Sequence, residues 1–222
     1  MAVISFASTK GGAGKTTSAI VLGTELAQGA SVIMIDADPA QRLCRWAALS
    51  PLPENLSVIL SGGERSIQSE IDEARTRAAF VLIDLEGSAS RLTSFAISES
   101  DLVLIPSGEE QQDADAAIDT LAEIAMESRA RRRDIPSAIV LARTSAAVKS
   151  RLERHIHSEL SGTGRLLKTE LHRRTAFSSL HNSGGGLRQL DPNEINGIPK
   201  AIENAQAFAA EVIDLLEDAY HA

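Results

Sequence analysis

The chain has 222 residues, 43% apolar and 23% charged, with a net charge of −8. Those shares are ordinary for a globular chain in water, and the length suits a single α/β domain over residues 1–222. One cysteine, Cys44, excludes an intramolecular disulfide and fits a reducing cytoplasm; no apolar run nears the ~20 residues of a bilayer span. Residues 1–6 carry no basic segment of the secretory kind. Aromatics are only 3%, so Ala, Ile, Leu and Val must build the core.

The apolar pattern predicts a buried strand over residues 2–7 and a helix over 14–28, closed by Gly29. A second strand, 31–35, ends at Asp36. A short strand at 57–60 and a helix at 64–77 follow, then a strand at 79–83 that ends at Asp84. Beyond these come a strand at 102–105 stopped by Pro106, a long helix at 113–131, a strand at 138–142 and a helix at 147–160. Residues 166–171 read as a last strand and 201–220 as an amphipathic helix. Short apolar strands alternating with helices imply a mostly parallel, twisted sheet covered on both faces, which makes three layers.

Between the first strand and the first helix stands Lys10-Gly11-Gly12-Ala13-Gly14-Lys15-Thr16-Thr17. A phosphate needs several backbone N–H groups aimed inward, and only small residues let the backbone come that close. Lys15 would reach the β- and γ-phosphate oxygens of ATP, and Thr16 would ligate Mg²⁺. The usual pattern G-x-x-x-x-G-K-[ST] asks for glycine where this chain has Thr9, and Lys10 sits at the loop's mouth.

Asp36, Asp38 and Asp84 lie at or just past strand carboxyl ends, where parallel sheets hold their ligands. Three carboxylates converging there would repel one another without a cation, and hydrated Mg²⁺ answers that need. Asp84 ends the run Phe80-Val81-Leu82-Ile83. By contrast, His155 and His157 are two apart, so a helix points them to different sides and they make no metal pair.

These motifs, with Ile35-Asp36-Ala37-Asp38-Pro39 and Ser100-Asp101-Leu102-Val103-Leu104-Ile105-Pro106, resemble the ParA/MinD family of deviant Walker A ATPases, in particular its small plasmid-partition type. Asp38-Pro39-Ala40-Gln41 followed by Trp46 is also similar to virulence-associated relatives that act in conjugative DNA transfer. The resemblance implies a P-loop NTPase fold and an ATP-sandwiched homodimer in which Lys10 crosses to the partner's phosphates. It implies that Asp38 orients the attacking water, that Asp36 and Asp84 hold Mg²⁺ mainly through its waters, and that Gly87 lies in the loop that senses the γ-phosphate. Cys44 and Trp46 are expected to pack on or near the helix after Asp38. Two departures stand out: Leu85-Glu86-Gly87-Ser88 replaces the family's Thr-Pro-Pro, and Ala142-Arg143 replaces an Asn-Arg pair whose Asn reads adenine.

Twelve Lys/Arg face four Asp/Glu between residues 129 and 174, a local balance of +8 in an acidic chain. ParA-type dimers bind DNA without sequence preference, which needs positive charge and no base-reading group. The candidates are Arg129, Arg131, Arg132, Arg133, Lys149, Arg151, Arg154, Arg173 and Arg174. The acidic last helix, with Glu203, Glu211, Asp214, Glu217 and Asp218, would be repelled by an anionic membrane. The expectation is a weak ATPase stimulated by a ParB-like or other adaptor, cytoplasmic and nucleoid-associated when ATP-bound, that positions DNA. The alternatives are an accessory ATPase of conjugative or T-DNA transfer that recruits a relaxosome and, less well supported, a metabolic ATPase or synthetase.

Overall fold

The computed structural model describes residues 1–145 and 149–221. Its strands are β1 (Ala2–Phe6), β2 (Val32–Ala37), β3 (Leu56–Leu60), β4 (Phe80–Leu85), β5 (Leu102–Ser107), β6 (Ser137–Thr144) and β7 (Leu171–His172). The helices are α1 (Lys15–Leu26), α2 (Arg42–Ala47), α3 (Ile67–Arg77), α4 (Arg91–Ser98), α5 (Gln111–Arg131), α6 (Arg151–Thr163), α7 (Thr175–Ser183) and α8 (Ile198–His221). One sheet runs in the order β3-β2-β4-β1-β5-β6-β7, and all its neighbouring strands are parallel.

Every residue of β1, β2 and β5 is buried, because helices cover both faces of the sheet. Successive side chains feed opposite cores. Ile4 and Phe6 pack with Trp46 of α2, Phe177 of α7 and Phe208 of α8. Val3 packs on the other side with Ile67 and Ile71 of α3, Ala96 of α4, Ala117 of α5 and Ile156 of α6. Few as they are, aromatics take central places: Trp46, Phe6 and Phe208 are among the largest fully buried side chains. Each such burial contributes about 1.5–3 kcal/mol.

The expected three-layer α/β fold is present, with shifts at its joints. β2 and β4 each continue one residue past Asp36 and Asp84. β5 runs through Pro106 instead of stopping there. Val103 donates to the β6 side, so by alternation the N–H that Pro106 lacks would face β1, beyond the last β1–β5 pair, Phe6 and Leu104. The expected strand over 166–171 shrinks to an isolated bridge at Leu166 and the two residues of β7. The helix expected over 147–160 is observed as Arg151–Thr163, and residues 147–148 of its expected start lie outside the described residues. α8 begins at Ile198, with Pro199 in its first turn where a missing N–H is harmless. Among the described residues no helix is long and apolar enough to cross a membrane.

Candidate active site

The carboxyl ends of β1, β2, β4, β5 and β6 share one edge of the sheet, and the phosphate loop leaves β1 at its centre. Gly12 and Gly14 have φ of 79° and 106°, a left-handed backbone that a side chain disfavours. Gly14 is the residue just before α1, so the helix opens on Lys15. Lys15 is buried, and its Nζ lies 3.4 Å from the Lys10 carbonyl oxygen. Burial lowers its pKa, while the charges of Asp84 and Asp38 act in the opposite sense.

Thr9, standing where the common motif has glycine, has an anchoring role. Its amide donates to Thr120 Oγ1 at 3.2 Å and its hydroxyl to the Ala116 carbonyl at 3.1 Å, both on α5. The next residue, Lys10, reaches the same helix: its Nζ donates to Asp113 Oδ1 at 2.7 Å, and the Asp113 side chain is almost wholly buried. Asp113 also faces the Arg143 guanidinium at 3.8 Å.

Asp36 and Asp84 are register partners on β2 and β4, side by side and fully buried. Asp36 accepts from the Asp38 amide at 3.2 Å and from the Cys44 amide at 2.8 Å. Thr16 Oγ1 donates to Asp84 Oδ2 at 2.7 Å, whereas Asp84 Oδ1 is buried with no hydrogen-bond partner. Burial lifts the Asp84 pKa to about 7, against the hydrogen bond from Thr16, and the neighbouring Asp36 charge adds to the rise. The unpartnered oxygen and the adjacent hydroxyl fit a hard divalent cation.

The three carboxylates are near enough that the charges of Asp36 and Asp38 both act on Asp84. Among the described residues no cluster of His, Cys, Asp and Glu could by itself hold a metal. Asp38 has partners of its own: its Oδ1 accepts the Ala40 amide at 2.8 Å and its Oδ2 the Arg42 guanidinium at 2.7 Å. Two amides on Asp36 and an arginine on Asp38 offset the repulsion that a shared cation was expected to relieve.

Gly87, after β4, presses on the phosphate loop. A Cβ there would stand 2.8 Å from the Gly11 nitrogen and 2.9 Å from its Cα. Both are backbone atoms with no rotamer to yield. Gly87→Ala is therefore expected to distort the loop and weaken nucleotide binding about tenfold or more, a loss of at least ~1.4 kcal/mol read by titration calorimetry. An unchanged affinity would show that the loop absorbs the methyl group.

Arg143 of the Ala142-Arg143 pair joins this edge, with two residues that no motif singled out, Arg42 and His181. With Lys15, Thr16, Asp38 and Gly87 they help line a cavity of about 230 Å³ over the loop. His181 Nε2 is 2.7 Å from Thr17 Oγ1. Arg143 has φ of 60°, uncommon outside glycine. Beside the loop a mostly apolar cavity of about 270 Å³ is lined by Gly14, Ala142, Leu171 and Phe177, with Arg173 and Arg174 at its margin.

The basic candidates fall into separate groups. Arg129, Arg131, Arg132 and Arg133 stand at the end of α5, which returns antiparallel to the strands and so places them at the sheet edge opposite the phosphate loop. Arg131 donates to Ser98 Oγ, and Arg133 to the Ser98 and Ser100 carbonyls. Lys149 pairs with Glu109 and Glu170. Arg151 and Arg154 are exposed near the start of α6, while Arg173 and Arg174 border the cavity beside the loop.

The sequence matches the VirC1 protein family over residues 1–218. The chain belongs to that family. A relative named Protein ParA, from Rhizobium radiobacter, is 41% identical over 221 residues, 99% of each chain. Solved structures place this VirC1-family fold beside the ParA/MinD ATPases, as the motifs implied. The ATP complex of McdA from Cyanothece aligns with a TM-score of 0.74 at 19% identity, over 96% of each chain. MinD, a cell division protein of Aquifex aeolicus, aligns with a TM-score of 0.72 at 18% identity, over 96% of this chain and 97% of its own.

Proposed function

We propose that the chain is an ATP-hydrolysing, dimerising switch that binds DNA without sequence preference and positions it. The observation that carries this reading is one sheet edge holding the glycine loop, buried Lys15, the Thr16–Asp84 pair and Asp38. Loop amides and Lys15 would bind the β- and γ-phosphates. Thr16 and Asp84 would hold Mg²⁺, with Asp36 acting through its waters; the ion, when bound, neutralises charge on the phosphate oxygens. Asp38 would orient a water whose oxygen bonds to the γ-phosphorus as the bond to the bridging oxygen breaks. The products are ADP and inorganic phosphate. The fold shared with an ATP-bound McdA supports this use of the loop.

Lys10 is held by Asp113 of its own chain, so crossing to a partner's nucleotide requires it to exchange a carboxylate for a phosphate. Dimerisation would then follow ATP. The exposed Arg129, Arg132, Arg151 and Arg173 would be the basic candidates for DNA phosphates, while Arg154 also spends a donor on the Lys149 carbonyl. The other partner is an adaptor, ParB-like or otherwise, that would stimulate a slow hydrolysis in the cytoplasm or on the nucleoid. The match to VirC1 along nearly the whole chain favours a second reading, in which the same switch recruits a DNA substrate for conjugative or T-DNA transfer.

Both readings meet one experiment. Binding to a random-sequence duplex is measured with ATP, with ADP and without nucleotide, at two salt concentrations. Binding with ATP alone that weakens steeply with salt is the expected result. Absence of binding in every condition would remove the DNA role from both readings.

A further inference from the structure

Arg42 stands out because its obvious explanation fails. Its ion pair with Asp38 has the spacing of a helical pair, yet Asp38 lies outside α2, which starts at Arg42 itself. The chain reaches that arrangement through Gln41, whose φ of 50° is left-handed without being glycine. Such a conformation costs about 1–2 kcal/mol. The contact therefore comes from a bent connection and not from helix geometry. Arg45 fastens the same connection by donating to the Ala40 carbonyl.

Two facts place the Arg42 guanidinium at the phosphate cavity. It lines that cavity with Lys15, Thr16 and Gly87. Its charge also helps lower the pKa of both Lys15 and His181, each lowered first by burial. The side chain is more than half exposed and makes one hydrogen bond to Asp38, so most of its five N–H donors remain for another acceptor. Asp38 is the constrained partner: each of its oxygens already accepts a hydrogen bond, and its side chain is 11% exposed.

We propose that Arg42 is a γ-phosphate-binding residue that couples arrival of ATP to release of Asp38. This rests on the nucleotide site proposed above. The γ-phosphate carries more charge than one carboxylate and offers three oxygens to a planar fork, so it outcompetes Asp38 for the guanidinium. Asp38 Oδ2 is then free to hold water. ADP brings no γ-phosphate, and the Arg42–Asp38 pair stays closed.

The test compares native protein with Arg42→Ala, Arg42→Lys and Lys15→Ala. Calorimetry with Mg²⁺ measures the affinities for ATPγS and ADP, and phosphate release measures turnover. Arg42→Ala is expected to lose about ten- to a hundredfold in ATPγS affinity with ADP affinity unchanged, and to slow turnover. Arg42→Lys recovers part of both, since a point charge replaces a fork. Equal loss for both nucleotides would mean a structural role and overturn the proposal. So would unchanged or faster hydrolysis by Arg42→Ala. If native protein binds both nucleotides, Lys15→Ala binds neither and Arg42→Ala behaves as native, only the Arg42 inference falls. If native protein binds neither nucleotide, the nucleotide site itself falls, and Arg42 with it.

Discussion

Asp38→Ala is expected to keep ATP bound and dimers formed while turnover drops about 10²–10⁴-fold, the usual weight of a positioned acid–base group. The residue contacts the Ala40 amide and Arg42, and it belongs to neither the glycine loop nor the Thr16–Asp84 pair. Its removal takes away the water's holder and leaves the phosphate ligands intact. It also frees Arg42, whose charge becomes available to the phosphates, so ATP affinity should hold or rise. Phosphate release in a single turnover and size exclusion with ATP read the two halves separately. Turnover at the native rate would refute the role of Asp38 in holding water. Loss of both binding and turnover would mean that the Asp38-to-Arg42 connection maintains the loop.

Lys15→Ala is expected to abolish useful nucleotide binding, with ATP affinity falling at least about a hundredfold. Two charge-assisted hydrogen bonds to phosphate, at about 1.5–3 kcal/mol each, account for that loss. A second effect comes from within the fold. Lys15 is a nearby positive charge for the buried Asp84, whose pKa already stands at about 7. Without it the Asp84 carboxylate is harder still to ionise, and the cation site weakens together with the phosphate site. Thermal melting gives an independent reading. At a hundredfold excess of ligand over Kd the native protein gains about 2.7 kcal/mol, and each kcal/mol moves Tm by about 2–4 °C for a chain of this size. Lys15→Ala should show no such shift. A normal ATP-induced shift in this variant would place the nucleotide elsewhere.

The phosphate loop was legible in the sequence because glycine, lysine and threonine spacing is a backbone requirement, and backbone requirements are local. Asp36 and Asp84 were legible for a related reason, since apolar runs buried on both faces must end where the sheet meets its ligand. What stayed hidden was set by distant contacts. Nothing near Lys10 announces Asp113, which comes 103 residues later on α5. The role of Thr9 depends on α5 in the same way. Arg42 was hidden by the unmarked left-handed turn at Gln41, because a glutamine does not signal a positive φ. The basic stretch is divided by the same distant contacts. Residues close in sequence need not share a face, and a long helix carries the end of α5 to the far edge of the sheet, away from the start of α6 and from Arg173 and Arg174.

Trp46 gives the molecule a built-in optical probe. It is the chain's single tryptophan, one helical turn beyond Arg42, and its indole N–H donates to the Gly185 carbonyl at 3.1 Å. That bond seats α2 on the turn just after α7, with the indole out of water. With excitation selective for tryptophan over the chain's one tyrosine, emission from the unlabelled protein originates at one point, on the element that links the Asp38 connection to the rest of the core. Rapid mixing with nucleotide can time events at that element without adding a dye or substituting a residue.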